Sequence, residues 1–442
     1  MGESLTVMIV GAGAREHTIS AAYEKSKRVG KIIVAPGNDF IAFKRKKEVV
    51  LEKSGNLKDA NSFLEIAKKH RPDLIDVAQD DALAAGTVDL LQSHGFNVFG
   101  PKKSAARIEW DKKWSREFMQ RHEIPMPEFQ SFNSESEAMQ YVNGLYSKNP
   151  ARQVYVKAAG LCAGKGALKS ENLEEAMQNI KQMKEFGSSG ETFVIEDGLV
   201  GEEFSYYALS DGNSFHCFSS AQDNKRVFNF DEGDQTGGMG AVSPAKVTQE
   251  IAGQIETEQI AKAIEGMKKE GNPYVGVLYL GGIADNGKSM NIEYNARWGD
   301  PECQAVLPSV ETDYAEIVLS CIEGNLANVK IKQDDKVRVC VVGASKGYPN
   351  DYSKVKGKQI FGLEDVLKCR DVHLFSAGIE VKDEKFFAKG GRLFSVVGEG
   401  ENIVKARQAA YSAMALINIE GNNLHYRTDI GWRDVERHLK GK

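Results

Sequence analysis

The chain has 442 residues, and at about 150 residues per domain this length predicts roughly three domains, each able to bury a core without disulfides. Lysine and arginine number 57 against 62 aspartates and glutamates, a formal net charge of −5. This charge excludes the strongly basic proteins that bind nucleic acid or anionic membranes through their overall charge. A hydrophobic fraction of 41% and a charged fraction of 27% are ordinary globular values and exclude a disordered chain.

The six cysteines are scattered and form no CxxC pair, which argues against a zinc knuckle or a dithiol redox site. No apolar run has the length of a membrane span. The apolar run at residues 5–10 is too short for a secretory signal. We therefore expect a soluble, cytoplasmic protein with free thiols.

The first hundred residues alternate short apolar runs (5–10, 32–35, 74–78, 98–99) with helical patterns (17–26, 62–69, 82–94). Such alternation predicts a parallel sheet. Gly11, Gly13 and Arg15 lie where the first strand meets the first helix, and backbone N–H groups there can hold a phosphate. Glu16 replaces the third glycine of a dinucleotide fingerprint, and the second strand ends at Ala35 without the expected acid, so NAD binding is disfavoured. A mononucleotide or sugar-phosphate site and a structural glycine turn both remain open.

A glycine-rich loop follows the predicted strand 154–157. Lys157 ends the strand, and Gly160, Gly164, Lys165 and Gly166 follow. The spacing is not that of a P-loop. We interpret the loop as a flap that folds over triphosphate oxygens, because small residues let backbone donors approach closely. The alternative, a mobile surface loop, would not require lysines at both ends.

A long helix is predicted at 250–269, followed by a hairpin of strands 274–284 and 289–295 around Asn286-Gly287, a strong hairpin signal. On the second strand, the period of two predicts a core face made of Met290, Ile292 and Tyr294. The same period places four polar residues on the other face: Asn291, Glu293, Asn295 and Arg297. A carboxylate and an amide oxygen two residues apart suit a hard cation that also bridges phosphates. The alternative is an ordinary solvated sheet face.

Two short motifs lie close together before this hairpin. Asp223 is followed by the cations Lys225 and Arg226, and residues 236–240 form a glycine-rich stretch. The first motif offers a carboxylate beside two positive charges, and the second is predicted to offer free backbone donors for an anion. Each alone could be a turn, but together with Glu293 and Asn295 they indicate a site for phosphate and carboxylate oxygens.

The flap between lysines, Glu196 with Glu203 seven residues later, and the Glu293-x-Asn295 pair resemble the ATP-grasp superfamily. The finer resemblance is to the phosphoribosylamine–glycine ligase (glycinamide ribonucleotide synthetase) family. It is carried in family order by residues 11–17, 35–38, 99–101, 160–166, 222–223, 236–244, 299–302 and 425–432. These segments cover essentially the whole chain.

The resemblance implies an α/β chain, with α+β parts, built around an ATP-grasp fold. The expected domains are a parallel-sheet N-terminal domain (1–103), a central domain (104–123 and 191–327), a lid (124–190) and a small mixed C-terminal domain (328–442). The implied reaction joins glycine to 5-phosphoribosylamine in purine biosynthesis, through a glycyl phosphate, with ATP and Mg²⁺ or Mn²⁺. The implied partners are these small molecules, without nucleic acid or membrane, in a monomer or small homo-oligomer.

The resemblance also implies roles for individual residues. Arg297 should stabilise the transferring phosphoryl group, and Asp223 and Lys225 should act on the amine and phosphate side. Contacts with ATP are implied for Lys112, Lys157, Gly160, Gly164, Lys165, Gly166, Glu196, Leu199 and Glu203. Contacts with the ribosylamine are implied for Gly11, Gly13, Arg15, Gly37, Asn38, Asp80, Arg226, Thr236, Gly237, Gly238 and Gly240. Glu293 and Asn295 should bind the metal.

Some residues depart from the family pattern. Gln79-Asp80 replaces a Pro-Glu pair, Ala159 replaces an aspartate, and Asn224 replaces a histidine. These departures support one alternative, an ATP-grasp ligase for a different carboxylate and amine. A second alternative is a non-catalytic nucleotide- or sugar-phosphate-binding protein, although Lys157, Glu293 and the other charged residues of the site are intact. A nicotinamide oxidoreductase is disfavoured at Glu16.

Overall fold

The computed structural model describes residues 4–162 and 165–441. It opens with the predicted parallel sheet, whose inner strands are nearly continuous apolar runs, as expected of strands covered on both faces. In spatial order, the strands are Glu48–Leu51, Val29–Pro36, Leu5–Gly11, Leu74–Val77 and Val98–Phe99. The helices of this part are Ala14–Lys25, Ala60–His70, Asp80–Ala84, Thr87–Ser93 and Lys103–Trp110, with a 3-10 turn at Asp39–Ala42. The single helix predicted at 82–94 is wrong, because Gly86, with φ of +82°, separates two helices.

A second, antiparallel sheet, here called the lid sheet, packs around its own apolar core. Its strands, in spatial order, are Phe129–Phe132, Phe193–Asp197, Val154–Ala158 and Ala167–Ser170. The helices on it are Glu135–Lys148 and Leu173–Gln182, followed by the 3-10 segment Met183–Gly190. The Asn172 side chain caps the second helix by accepting from the Glu175 N–H at 2.9 Å, a common role of asparagine at the N-cap.

A third sheet contains the predicted hairpin. Its strands, in spatial order, are Phe215–Cys217, Glu202–Asp211, Val275–Asp285 and Lys288–Asn295. Around it lie the helices Lys112–Arg121, Glu302–Val306 and Tyr314–Ile322 and the 3-10 turns Lys246–Thr248, Leu307–Ser309 and Leu326–Asn328. The helix predicted at 250–269 is present as Ala252–Gln254, a π-helical stretch Ile255–Ala261 and Lys262–Lys269. This sheet shares one apolar core with the N-terminal sheet.

The C-terminal part forms two sheets. One has the spatial order Gln222–Asp223, Gly240–Ser243, Val337–Ser345, Arg392–Gly400 and Val372–Ser376, with Leu424–His425 also paired to Val337–Ser345. The other has the order Ile379–Lys382, Lys385–Ala388, Gln359–Phe361 and Asn418–Ile419. The helices are Leu363–Val366, Ile403–Met414 and Trp432–Leu439, with a 3-10 turn at Ser353–Val355. Two short strands from the middle of the chain therefore belong to a C-terminal sheet.

A two-stranded ribbon, Arg226–Phe228 and Glu232–Gln235, is joined by the 3-10 turn Asn229–Asp231 and links the two motifs singled out in the sequence. No helix within residues 4–162 and 165–441 is long and apolar enough to cross a membrane. The carboxyl end of the N-terminal sheet, the lid sheet and the hairpin sheet converge on one region. The candidate site lies there.

Candidate active site

The base of the flap brings two lysines together. Lys112 starts a helix, donates its backbone N–H to the Ala159 carbonyl at 2.9 Å and directs its ammonium to the Gly160 carbonyl at 3.3 Å. Lys157 is buried on the adjacent strand. A Cβ at Gly160 would lie 2.7 Å from Ser189 Oγ, so this position requires glycine for close packing.

The rest of the flap is partly outside the described residues, which exclude Gly164. Gly166 also packs closely, since a Cβ there would lie 2.7 Å from Cys162 Cβ. The Lys165 side chain is exposed on the described side of the gap. Both ends of the flap are thus placed beside the two lysines, as a phosphate-covering loop requires.

Lys157 forms an ion pair with Glu196, which lies on the neighbouring lid strand and is 3% exposed. The other oxygen of Glu196 accepts from Nε of Arg116 at 2.7 Å. Burial, helped by the nearby positive charge of Arg116, lowers the pKa of Lys157 to about 7. Leu199, predicted beside Glu196, is half-buried in the loop after the strand. An anionic ligand at Lys157 would compete with Glu196 for its charge.

On the hairpin side, Glu203 and Lys225 form an ion pair of 2.6 Å. The charge of Glu203 raises the pKa of Lys225 well above its usual value, and that of Lys225 keeps the pKa of Glu203 low. Together with Asp223, Tyr279 and Glu293, these two side chains line a small polar pocket. Residues 203, 223, 225 and 293, from three separate segments of the chain, therefore line one pocket.

The predicted faces of the hairpin strand are partly wrong. Gly281 pairs with Glu293 but Gly282 pairs with Asn291, so Ile292 is the extra residue of a β-bulge. A bulge shifts the alternation by one residue. Asn291 consequently enters the core with no exposed surface, whereas Met290 is 38% exposed.

Beyond the bulge, Glu293 and Asn295 share the site-facing side, as predicted. The Asn295 amide nitrogen lies 3.4 Å from Glu293 Oε1 and can donate to it. Burial raises the pKa of Glu293, but Lys225, Lys112 and Lys157 together bring the pKa below its ordinary value. An ionised carboxylate fits Mg²⁺ or Mn²⁺, which also takes water and phosphate oxygens as ligands. The Asn295 side-chain oxygen faces Arg297 but keeps a second lone pair that could bind such an ion. No cluster of three or more His, Cys, Asp or Glu residues suited to a metal occurs among the described residues, so any ion there would depend on such outside ligands.

Arg297 is held by a residue that the sequence analysis missed. Glu109 forms an ion pair with Arg297 Nη2 at 2.8 Å, and its other oxygen accepts from the Ala296 N–H at 2.8 Å. The Asn295 side-chain oxygen accepts from the same guanidinium at 3.1 Å. Burial raises the pKa of Asp80, but Arg297 and then Arg15 bring that pKa below its usual value. Asp80 is therefore an ionised carboxylate in the electrostatic field of Arg297.

Asp223 is a buried carboxylate with unmet hydrogen bonding. Its Oδ1 is buried and has no hydrogen-bond partner within the described residues. Burial raises the pKa of Asp223 well above its usual value, and the charge of Glu302 adds to the shift. Glu302 accepts hydrogen bonds from Tyr279 at 2.9 Å and from Ser205 at 3.1 Å. A buried carboxyl with a free oxygen can receive an amine N–H from a ligand.

The predicted phosphate site in the N-terminal glycine turn is partly filled by the chain itself. Glu16 Oε2 accepts the Gly13 N–H at 2.6 Å, and a Cβ at Gly11 would lie 2.4 Å from Glu16 Cγ. Arg15 donates to Glu16 Oε1 at 2.7 Å and to the Trp298 carbonyl at 2.9 Å. The Gly13 donor and the Arg15 charge are thus already partnered within the chain.

The neighbouring pair, Gly37 and Asn38, joins the N-terminal and C-terminal parts. The Gly37 N–H donates to the Gly11 carbonyl at 2.9 Å. The Asn38 amide donates to the Ala12 carbonyl at 2.7 Å and to that of Ser376 at 3.2 Å. These contacts leave Asn38 only 8% exposed.

The prediction of free backbone donors at 236–240 is wrong. The Thr236 N–H donates to the Lys225 carbonyl, and the Met239 N–H donates to the Asn224 carbonyl. Gly237 donates to the Tyr348 hydroxyl at 3.1 Å, Gly238 donates to Thr236 Oγ1 at 2.9 Å, and Gly240 lies in a sheet pairing. Arg226 is also engaged, since its guanidinium donates to the Gly233 carbonyl at 2.9 Å. The tight loop lies instead against Asp223 and against the segment that follows Gly299.

Three family models match the chain: the phosphoribosylglycinamide synthetase N domain at residues 5–109, its ATP-grasp (A) domain at 110–303 and its C domain at 338–433. A "Phosphoribosylamine--glycine ligase" of Caldanaerobacter subterraneus is 37% identical over 96% of this chain and 99% of its own. A "Bifunctional purine biosynthetic protein purD" of Dictyostelium discoideum is 37% identical over 99% of this chain, which spans 56% of that relative's length.

Among solved structures, the phosphoribosylamine–glycine ligase of Thermotoga maritima aligns with a TM-score of 0.80 and 30% identity, over 96% of this chain and 100% of that one. The match confirms the fold predicted from the sequence: a parallel-sheet N-terminal domain, an ATP-grasp centre and a C-terminal domain.

Proposed function

The chain belongs to the phosphoribosylglycinamide synthetase family, and on this basis we propose that it joins glycine to 5-phosphoribosylamine at the expense of ATP. The products are glycinamide ribonucleotide, ADP and phosphate. The observation that carries the proposal is the convergence of Lys112, Lys157, Glu293, Asn295 and Arg297 on one region between the lid sheet and the hairpin sheet.

In the first step, a carboxylate oxygen of glycine forms a bond to the γ-phosphorus of ATP while the bond from that phosphorus to ADP breaks. The chemistry requires charge neutralisation and in-line positioning more than covalent help. Lys112 and Lys157 neutralise phosphate oxygens under the flap. Arg297, fixed by Glu109, meets the charge of the transferring group. A metal ion held by Glu293 and Asn295 would add positive charge at the phosphate oxygens.

In the second step, the ribosylamine nitrogen forms a bond to the acyl carbon of glycyl phosphate, the bond from that carbon to the phosphate oxygen breaks, and the nitrogen gives up one proton to the departing phosphate. Asp223 accepts a hydrogen bond from an amine through its unpartnered Oδ1. The Asp80 carboxylate accepts hydrogen bonds from the ribose hydroxyls. Gly11, Gly37 and Arg226 line the substrate side, although Gly13, Arg15 and Asn38 have partners within the chain.

The nucleotide roles follow the same geometry. Glu203 accepts the ATP ribose hydroxyls, and Glu196 and Leu199 lie at the adenine end. Gly160, Lys165 and Gly166 belong to the flap with Gly164, which lies outside the described residues. Thr236, Gly237, Gly238 and Gly240 act by shaping the loop beside Asp223.

We further propose that the metal is Mg²⁺ or Mn²⁺ and that the partners are the three small-molecule substrates. The protein is proposed to act in the cytoplasm as a monomer or small homo-oligomer. The proposed domains are 1–103, 104–123 with 191–327, 124–190, and 328–442.

The test measures ADP release with Mg²⁺, glycine and 5-phosphoribosylamine generated in situ, omitting each in turn. Release that requires both substrates, with glycinamide ribonucleotide found by mass spectrometry, is the expected result. Glu293→Gln should abolish release, and Glu265→Gln, on an exposed helix face, should not. ADP release that is independent of glycine would refute the proposed substrate.

A further inference from the structure

Arg116 lies where two sides of the nucleotide site meet. It follows Lys112 by one helical turn on Lys112–Arg121, so both side chains emerge from the same helix face. Asp111 caps this helix by accepting the Trp114 N–H at 3.0 Å. Arg116 is only 4% exposed, so its charge must be matched by buried partners.

The guanidinium has partners on two different sheets. Nε donates to Glu196 Oε2, on the lid sheet, at 2.7 Å. Nη2 donates to the carbonyl of Ile292, on the hairpin sheet, at 2.5 Å. Because a guanidinium is planar and rigid, these two bonds fix the two acceptors relative to each other.

Each partner borders a different part of the ligand site. Glu196 also pairs with Lys157 at the phosphate flap. Ile292 is the bulge residue directly before Glu293, and the bulge determines which side chains of this strand face the site. A continuous series of contacts therefore runs from Lys157 through Glu196 and Arg116 to the strand that bears the metal ligands.

We propose that Arg116 is a positioning residue that couples nucleotide binding at the flap to metal binding at Glu293 and Asn295. The inference rests on the proposed function, since that function supplies the nucleotide and the metal. Arg116 touches neither ligand directly. It holds Glu196, so that Lys157 can turn to the phosphates, and it holds the bulge that directs Glu293.

The test measures ADP affinity by calorimetry with and without Mg²⁺, for Arg116→Met, Arg116→Lys and the matched control Arg121→Met. Arg121 lies on the same helix but pairs with Glu270, and its side chain is 46% exposed. The tightening of ADP binding by Mg²⁺ should shrink about fivefold or more in Arg116→Met, the lower range of a coupling between two sites. It should shrink less in Arg116→Lys and stay at the wild-type value in Arg121→Met.

Thermal melting establishes that each variant is folded. A folded Arg116→Met protein with the wild-type Mg²⁺ effect would overturn the inference. If Arg116→Met does not fold, Arg116→Lys decides, because a lysine keeps the charge but cannot hold both acceptors in the same plane. A wild-type protein that binds ADP without consuming glycine would instead refute the proposed function while leaving this coupling measurable.

Discussion

Lys157 should take up a proton when nucleotide binds above neutral pH. Burial is the largest cause that lowers its pKa in the free protein; Arg116 and Lys112 add to the shift, Glu293 and Glu203 oppose it, and the net pKa is about 7. Phosphate oxygens bring negative charge next to the amine and favour its charged form. The folded-state pKa is below the ordinary value, so above pH 7 Lys157 loses most of the charge on which its ion pair with Glu196 depends, until a ligand restores that charge.

The size of the effect follows from that pKa. With a pKa of about 7, the charged fraction of Lys157 is about 0.9 at pH 6 and about 0.1 at pH 8. If the bound form is fully charged, ADP binding takes up about 0.1 proton at pH 6 and about 0.9 proton at pH 8. Because only the charged fraction is competent to bind tightly, the apparent Kd at pH 8 should be about tenfold above its intrinsic value.

Calorimetry of ADP binding in two buffers of different ionisation enthalpy measures the protons directly. The Lys157→Met variant measures the proton uptake that comes from the nucleotide itself, and this value is subtracted from the uptake of the wild type. Lys169→Met, an exposed lysine on the next strand that pairs with Glu171, should behave as wild type. Equal uptake by the wild type and Lys157→Met at pH 8, or equal wild-type uptake at pH 6 and pH 8, would refute the reasoning.

Three further substitutions test other parts of the site. Glu109→Gln removes the ion pair that fixes Arg297. In initial-rate measurements kcat should fall about tenfold, as for the loss of a charge-assisted hydrogen bond, while the KM for ATP stays near the wild-type value. An unchanged kcat would contradict this role. Gly238→Ala would bring a Cβ to 2.4 Å from Pro301 Cδ and to 2.9 Å from Asp223 Oδ1 at a φ of +111°, so the loop beside Asp223 must shift and the KM for the ribosylamine should rise in steady-state assays. Wild-type kinetics would disprove the role of this packing. Asn38→Ala should lower the unfolding free energy by about 1–3 kcal/mol, because two buried carbonyl groups lose their hydrogen-bond donor. Chemical denaturation measures this change. A change confined to the KM for the ribosylamine would favour a substrate role instead.

The fold could be predicted where the pattern is local. The alternation of apolar runs and helical segments indicated the parallel sheet, and Asn286-Gly287 indicated the hairpin, because both signals lie within a few residues. The faces of the second hairpin strand could be predicted only from Glu293 onward. One extra residue, Ile292, reverses the alternation before it, and a bulge has no reliable mark in the sequence.

In the candidate site, too, features set by neighbouring residues could be predicted and features set by distant residues could not. Glu293 and Asn295 could be predicted as a pair on one side of the strand because residues two apart on a strand have a fixed spacing. Arg116 and Glu109 were missed, since their roles depend on partners 80 and 187 residues away. The available signal for Arg116 was weak: a charge one helical turn after Lys112, on a helix face otherwise suited to burial.

Counting hydrogen-bond donors separates ligand-binding motifs from structural ones more sharply than recognising glycines does. The glycine turn at Gly13 looks like a phosphate site until Glu16 is seen to accept its N–H, and the stretch 236–240 uses its donors within the chain. By contrast, Asp223 Oδ1 and Arg297 Nε are buried at the candidate site without a partner among the described residues. Other buried atoms of the described residues, such as Trp432 Nε1, are also unpaired, so an unpaired atom indicates a ligand only together with its place in the site. Because leaving such atoms unpaired costs about 1–3 kcal/mol each, we expect a ligand to complete these two: an amine at Asp223 and an anion at Arg297.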